Sequence, residues 1–424
     1  MLTREDNERI TRVGSGTPMG EVMRRYWMPA LLVSQLPGPD CPPVRVRLLG
    51  EDLVAFRDTQ GRVGLLDGYC PHRCASLFLG RNEENGLRCV YHGWKFDFEG
   101  RCVDMPNEPA DSRFKEKVTL RSYPTVEMGG VIWTYMGPRE KMPEAFCMEW
   151  TRAPQSHRFV SQTHEYCNYL QCVEGGIDTS HGSFLHNNDL SDNTAFSRID
   201  RAPRLEVERT SYGFRYVGLR DVGEIGTYLR LYHFVLPFHQ FRSNQIVRRK
   251  GKDSGNREAI PIEKGHMWVP MDDHNTMIYN WMLAVDDNKP LTPEFIANEE
   301  TSHGRGPGGE TVVRYRTRQN DWLIDREVQR SKTYTGIEGV NTQDLAVQES
   351  MGAIVDRSRE HLGTSDQAII ACRRILLDVL RDFERGVEPL GVDPKTYRNV
   401  RAADILVPKD VRWQEIADRS LARW

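Results

Sequence analysis

Apolar and polar positions alternate with a period of two over most of this chain and switch to a helical period in three places. Thr17-Pro18 starts the first helical stretch, with Thr as N-cap and Pro at the first turn, and PMGEVMRRYW runs amphipathic to about Trp27. From Val44 the period is two: VRVRLLG, LVAFRD, VGLLDG, WKFDFEG and GGVIWTYMG read as short strands, with Glu99-Gly100 as a hairpin turn. Residues 44–140 are thus expected to form a small all-β domain. Pro138, Pro143 and Pro154 mark a connection, and a second helical stretch is expected over about 164–177. GFRYVGLRDV, TYLRLYHFVLPFHQF, HMWVPM and TMIYNWMLAV are long, β-branched and aromatic, and predict one antiparallel sheet. Residues 285–335 are polar and Gly-rich, as in a surface excursion. Ser365 is read as the cap of a strong final helix, whose stripe is Ile369, Ile370, Cys372, Ile375, Leu376, Val379, Leu380 and Phe383. The fold class is α+β, in three parts: a helical segment 1–43 packing with the larger C-terminal domain, a β domain 44–140 and the C-terminal domain 141–424.

Composition narrows the class. The chain has 424 residues, 39% hydrophobic and 28% charged, which excludes disorder as a global description. Lys plus Arg is 57 and Asp plus Glu is 60, so the basic excess of a nucleic-acid binder is missing. No run of eighteen apolar residues suggests a membrane span. MLTREDNERITR lacks the apolar core of a secretory leader, so a cytoplasmic location is expected. Nine Cys are too sparse for a disulfide scaffold, and in a reducing compartment Cys grouped with His points to metal.

Two groupings carry chemistry. Cys70-Pro-His72 is followed after 16 residues by Cys89-Val-Tyr-His92, so two loops each supply one thiol and one imidazole. A Rieske [2Fe–2S] centre takes two Cys on one iron and two His on the other. A structural zinc site also takes two of each, but usually pairs Cys with Cys and His with His. Cys74 and Cys102 read as free packing residues. The second grouping is Asp178, His181 and His186 in NYLQCVEGGIDTSHGSFLH. Asp178 and His181 share a helical face. His181 and His186 do not, at about 500° of ideal helix, so both can hold one metal only if the helix breaks, which Gly175, Gly176 and Gly182 make cheap. Two His and one carboxylate form the facial triad of non-haem Fe(II) oxygenases.

CPHRCASLFLGRNEENGLRCVYHGWKFD and the Asp178–His186 pattern closely resemble the Rieske ring-hydroxylating oxygenases. QESMGAIVDRSREHLGTSD resembles their phthalate 4,5-dioxygenase-like branch, which also contains aryl O-demethylases. The resemblance implies a Rieske [2Fe–2S] domain and a helix-grip catalytic domain with a mononuclear Fe(II). It implies His181 and His186 as iron ligands and Asp178 as a bridge for electrons from His92 of a neighbouring subunit to His181. The third ligand is a late carboxylate: Glu338, Asp344, Glu349, Asp356 and Glu360 are candidates, and TQDLAVQESMG favours Asp344. It further implies a homotrimer or stacked trimers, and a separate FMN/ferredoxin-type reductase passing on NAD(P)H electrons. The substrate would be O₂ with a small aromatic acid, hydroxylated or, alternatively, O-demethylated. An electron carrier without oxygenase chemistry is the rival class. Arg204, Arg230, Arg242 and His233 are the cationic or polar candidates for an aromatic carboxylate, with alternation placing His233 opposite Arg230. Arg73, Arg81, Arg88, Lys95 and Arg101 could dock an acidic ferredoxin, although interleaved acids favour a plain solvated surface.

Overall fold

A computed structural model describes residues 2–145, 148–191, 195–244, 260–305 and 316–418. The chain divides into two compact units, Arg12–Ala145 and the combination of Met1–Thr11 with Phe146–Trp424.

The first unit is all β apart from short helices. The strand Trp27–Leu32 pairs with Val131–Tyr135, which pairs with Thr125–Met128. Val44–Leu48, Glu51–Arg57 and Val63–Asp67 form a three-stranded meander, and Arg81–Glu83, Gly86–Arg88, Lys95–Phe96 and Cys102–Asp104 a four-stranded one. Val54, Phe56, Leu66, Leu77, Leu87 and Phe96 fill the space between them, together with Cys70 and Cys89. The sequence reading placed all of 1–43 with the C-terminal domain. Only residues up to Thr11 belong there. The helix capped by Thr17 is shorter than expected, Pro18–Met23. WMPALL after it is apolar without a helical stripe, and it becomes a buried strand.

The second unit is built on an eight-stranded antiparallel sheet. Its order is Arg158–Glu165, Thr276–Ala284, Ile262–Pro270, His239–Asn244, Thr227–Val235, Gly213–Asp221, Arg204–Arg209, with Ala403–Val407 also paired to Thr227–Val235. The run TYLRLYHFVLPFHQF is therefore two strands, divided at Leu236-Pro237. The stretch expected to be helical from residue 164 is first a strand, to Glu165. Asn168 then caps the helix Tyr169–Ile177 by accepting from the Leu170 N–H. The final helix runs Gln367–Glu384 with Asp366, not Ser365, at its start. It packs on strands Arg204–Arg209 and Gly213–Asp221 and on helix 169–177. Within the expected surface excursion lie two helices, Pro293–Ser302 and Arg326–Ser331.

Buried charge fixes helix 169–177 in place. Glu174 accepts from Arg357 at 2.9 Å and Arg373 at 2.6 Å, and Arg357 also donates to Asn7 at 3.0 Å. Burial opposes the Glu174 charge, yet the two guanidiniums hold its carboxyl below the usual range. Glu263 is the opposite case. It is buried with one hydrogen-bond donor among the described residues, the Ala402 N–H, and burial pushes it from 4.5 up to about 8. Below the ordinary value both folded and unfolded chains are protonated there. Between the two values only the unfolded chain is ionised, so unfolding releases a proton and stability falls as pH rises. We expect the melting temperature to fall from pH 5 to 8, and Glu263→Gln to flatten that slope and gain on the order of 2 kcal/mol at pH 8, read by denaturant titration.

Candidate functional site

In the first unit, two loops of matching design bring Cys70, His72, Cys89 and His92 together. The Cys70 N–H bonds the Ala75 carbonyl at 2.8 Å and its carbonyl accepts from Cys74; the Cys89 N–H bonds Trp94 at 2.8 Å and its carbonyl accepts from Gly93. Each loop closes on a residue with positive φ, Cys74 at 56° and Gly93 at 79°. At Gly93 a Cβ would stand 2.5 Å from Pro106 Cγ, so glycine is required. Both ligand-type Cys are buried in the core while His72 and His92 reach the surface, their rings 4.4 Å apart. Burial and the neighbouring Cys89 push the Cys70 thiol up to about 11. A Cys70 thiolate is therefore stable there only against strong positive charge, such as two irons supply. The expectation for Cys74 is corrected: it is an exposed turn residue, and only Cys102 packs inside. Four of the five proposed docking cations are ion-paired within the unit: Arg81 to Glu83, Arg88 to Asp104, Lys95 to Glu84 and Arg101 to Asp97. Arg73 lies over the exposed Tyr91 ring instead.

In the second unit, helix 169–177 stops at Asp178, so Asp178 and His181 are not neighbours on a helical face. Asp178 turns back on the chain, accepting from the Ser180 N–H at 2.7 Å and its hydroxyl at 2.8 Å. Its other oxygen lies 3.6 Å from His181 Nδ1. Burial raises its carboxyl, but His181 and Ser180 together hold it below the ordinary value. A short turn over His181–Ser183 then swings His186 beside His181, with their Nε2 atoms 3.1 Å apart. Asp344 arrives from the helix Val340–Ser350, with Oδ1 3.2 Å from His186 Nε2 and 3.6 Å from His181 Nε2. It sits in the second turn, so a helix N-terminus lends it less than the sequence reading assumed. Donors held about 2.1 Å from one metal stand roughly 3.0–3.4 Å apart, so this separation fits a single ion. None of the other late carboxylates joins the group among the described residues.

Gln343 completes the site and carries no motif by which it could have been found. Its Oε1 lies 2.8 Å from His186 Nδ1, and its Nε2 donates to Asn188 Oδ1 at 3.0 Å and the Ile337 carbonyl at 2.8 Å. With the amide so fixed, Nδ1 must carry the proton and Nε2 must face the metal position. Gln343→Leu is expected to weaken iron retention about 10–100-fold, read by iron content after dialysis against a graded chelator.

One face of the sheet is cationic and aromatic. Tyr216 and Tyr232 stack at 4.8 Å, and Gln240 links Tyr216 to the Gly176 carbonyl at 2.5 Å, so this face looks toward helix 169–177. Arg230 and Arg242 lie on it. Neither Nε has a hydrogen-bond partner among the described residues. Burial and Arg230 push Arg242 down to about 10, and its charge is felt at both His186 and Asp344. His266 bonds Asn280 at 2.8 Å nearby, and Asn280 also accepts from Asn341 on the helix carrying Asp344. Two sequence candidates fall elsewhere. Arg204 is exposed on the edge strand and pairs with Glu206. His233 projects to the opposite face, 2.7 Å from the Tyr212 hydroxyl, where burial lowers it to about 3.

Residues 26–124 match the Rieske [2Fe-2S] domain model, and 134–422 match that of the LigXa C-terminal domain like family. The chain is 39% identical to the phthalate 4,5-dioxygenase oxygenase subunit of Pseudomonas putida, over 99% of this chain and 95% of that one. It is 39% identical to the 3-chlorobenzoate-3,4-dioxygenase oxygenase subunit of Comamonas testosteroni, over 98% and 97%. Identity to the 5,5'-dehydrodivanillate O-demethylase oxygenase subunit of a Sphingobium species is 31%, over 92% and 84%. Crystalline dicamba monooxygenase bound to dicamba shares the fold, with a TM-score of 0.60 at 20% identity over 86% of this chain and 98% of that one. Among the described residues, no helix is long and apolar enough to cross a membrane.

Proposed function

Since the chain belongs to the Rieske non-haem iron oxygenases and is a terminal oxygenase with a [2Fe–2S] cluster and a mononuclear iron, we propose that it hydroxylates an aromatic carboxylate of the phthalate type. The observation that carries this is the half-buried Arg242, whose charge acts on both His186 and Asp344 and whose Nε is shielded from solvent and unpartnered among the described residues. A guanidinium partly shielded from water can receive a carboxylate through a charge-assisted pair and so hold one edge of a ring over the iron position. Arg230, on the same face, shares its space with Tyr228, Tyr232 and Asp404 and serves as a second cation in the same field.

We take Cys70, His72, Cys89 and His92 as the cluster ligands, and His181, His186 and Asp344 as the iron ligands. When bound, the two groups supply electrons one at a time and open coordination positions for O₂. The chain's own residues do the rest. Gln343 keeps His186 Nε2 aimed inward, and Asp178 holds the Nδ1 side of His181. Asp178 is also our candidate for the link to His92 of a neighbouring copy in a trimer or stacked trimers. Electrons would come from NAD(P)H through a flavin and ferredoxin-type reductase, in the cytoplasm. The C-terminal match rules out a bare electron carrier, which would have no use for a catalytic domain of this length.

The test is an assay with purified holoprotein, a phthalate-dioxygenase-type reductase and NADH over phthalates, halobenzoates, methoxylated benzoic acids and the corresponding aromatics without the carboxylate. Oxygen uptake matched by a hydroxylated product with at least one acid supports the reading. Formaldehyde from the methoxylated acids alone would move the assignment to O-demethylation. Turnover only of substrates without a carboxylate would overturn it.

A further inference from the structure

The second unit holds another cluster of ligand-type side chains, unused by the chemistry above. Cys167 and Cys172 are fully buried with their Sγ atoms 3.7 Å apart, and Cys167 Sγ is 3.5 Å from Glu165 Oε1. The contact follows from the helix start. Asn168 is the N-cap of helix 169–177, so Cys167 is the residue before the cap and Cys172 the fourth helical residue. These are the two positions whose side chains meet to fix how a chain enters a helix. Here the pair is two thiols where apolar side chains are usual.

We propose that Cys167 and Cys172 are an oxidation site, a dithiol that closes to a disulfide in reaction with hydrogen peroxide. Peroxide is the two-electron reduction product of O₂, the co-substrate of this unit. Glu165 takes the Cys167 proton, and the thiolate attacks one peroxide oxygen. The O–O bond breaks, and hydroxide leaves with that proton as water, giving a sulfenic acid at Cys167. Cys172 then attacks the Cys167 sulfur. The S–O bond breaks, and the hydroxyl leaves with the Cys172 proton as a second water. Two thiols are oxidised by two electrons, and one peroxide is reduced to two waters.

Geometry favours the second step over further oxidation. The sulfurs need only move from 3.7 Å to about 2.05 Å, and Cys167 lies outside the helix, where its side chain can turn. A resolving thiol already in contact acts at a very high effective concentration. Burial sets selectivity. The bond with Cys172 pulls Cys167 down, but burial and Glu165 outweigh it and leave it at about 11; burial drives Cys172 up as well. Both are therefore thiols at rest, and the pair reacts only as Glu165 accepts the Cys167 proton; burial favours a small neutral oxidant such as peroxide as the reagent.

The experiment uses the holoprotein. It is treated with stoichiometric hydrogen peroxide, unfolded in iodoacetamide and digested with trypsin, which leaves both cysteines in one peptide, residues 159–198. The expected peptide is unalkylated and two hydrogens lighter, and dithiothreitol before alkylation restores it. Cys372, buried and with no second thiol against it among the described residues, is the internal control and stays fully alkylated. In Cys172→Ser the sulfenic acid should persist and be trapped by dimedone; if that variant does not fold, the wild-type peptide decides alone. Alkylation of both cysteines to the level of Cys372 overturns the proposal. So does sulfinic acid at either cysteine, or a stoichiometric zinc held by the pair with Glu165.

Discussion

Asp344→Ala should purify with about two irons per chain in place of about three, and should show no turnover that added Fe(II) restores. The reasoning is geometric. Asp344 supplies the carboxylate oxygen that stands 3.2 and 3.6 Å from the two His Nε2 atoms, and no other late carboxylate joins the group among the described residues. Removing it leaves two neutral imidazoles facing a divalent cation, with no anion to offset its charge. Asp178→Asn makes the contrast. Asp178 touches only the Nδ1 side of His181, 3.6 Å away. Three irons should remain, but turnover should drop roughly 100-fold, the upper range for an outer partner of a ligand. The pair separates holding the iron from supplying it. If Asp178→Asn lost iron as Asp344→Ala does, Asp178 would be a ligand and the assignment of the third donor would be wrong. Iron content and NADH-dependent oxygen uptake read both variants.

The sites differ in how far they could be read before the structure. Cys70, His72, Cys89 and His92 were legible because each half-site is a single tight loop, so spacing along the chain nearly equals spacing in space. His181 and His186 needed a break in the helix, and the glycines announced that a break was affordable without saying where. The break falls at Asp178, because the carboxylate finds its donors in the backbone N–H and hydroxyl of Ser180, two residues on. Asp344 lies 158 positions beyond His186, one of five candidate acids in the late segment, and periodicity has no means of choosing among them. Resemblance favoured Asp344, and the structure brings Asp344 to the two His. Gln343 was invisible: an amide beside a carboxylate on a helix reads as surface until its three bonds are seen. The N-terminal boundary was misplaced for a different reason. WMPALL is apolar enough for either a helix or a strand, and only its partner strand Val131–Tyr135 decides.

The same limit explains the four substrate candidates. Strand alternation correctly put Arg230 and His233 on opposite faces, but it could not say which face a catalytic centre would use, nor that Arg204 lies at the sheet edge. Packing decides: helix 169–177 covers the face of Tyr216, Tyr232 and Gln240, and Arg242 belongs to that face two residues beyond Gln240. Arg242→Ala should therefore cut kcat/KM for an aromatic acid by roughly 100-fold, since losing one partner of a desolvated charge pair costs about 3 kcal/mol. Most of that should appear in KM, because the carboxylate is held equally in the ground and transition states. Iron content should stay at about three per chain, as Arg242 touches no metal position directly. Arg242→Lys should recover only part of the loss, since an ammonium lacks the bidentate fork. The uncharged methyl ester of the same acid should be insensitive to both changes. If the ester and the acid lost the same factor in Arg242→Ala, the residue would be supporting the pocket's shape, and the cation that receives the carboxylate would have to be sought at Arg230.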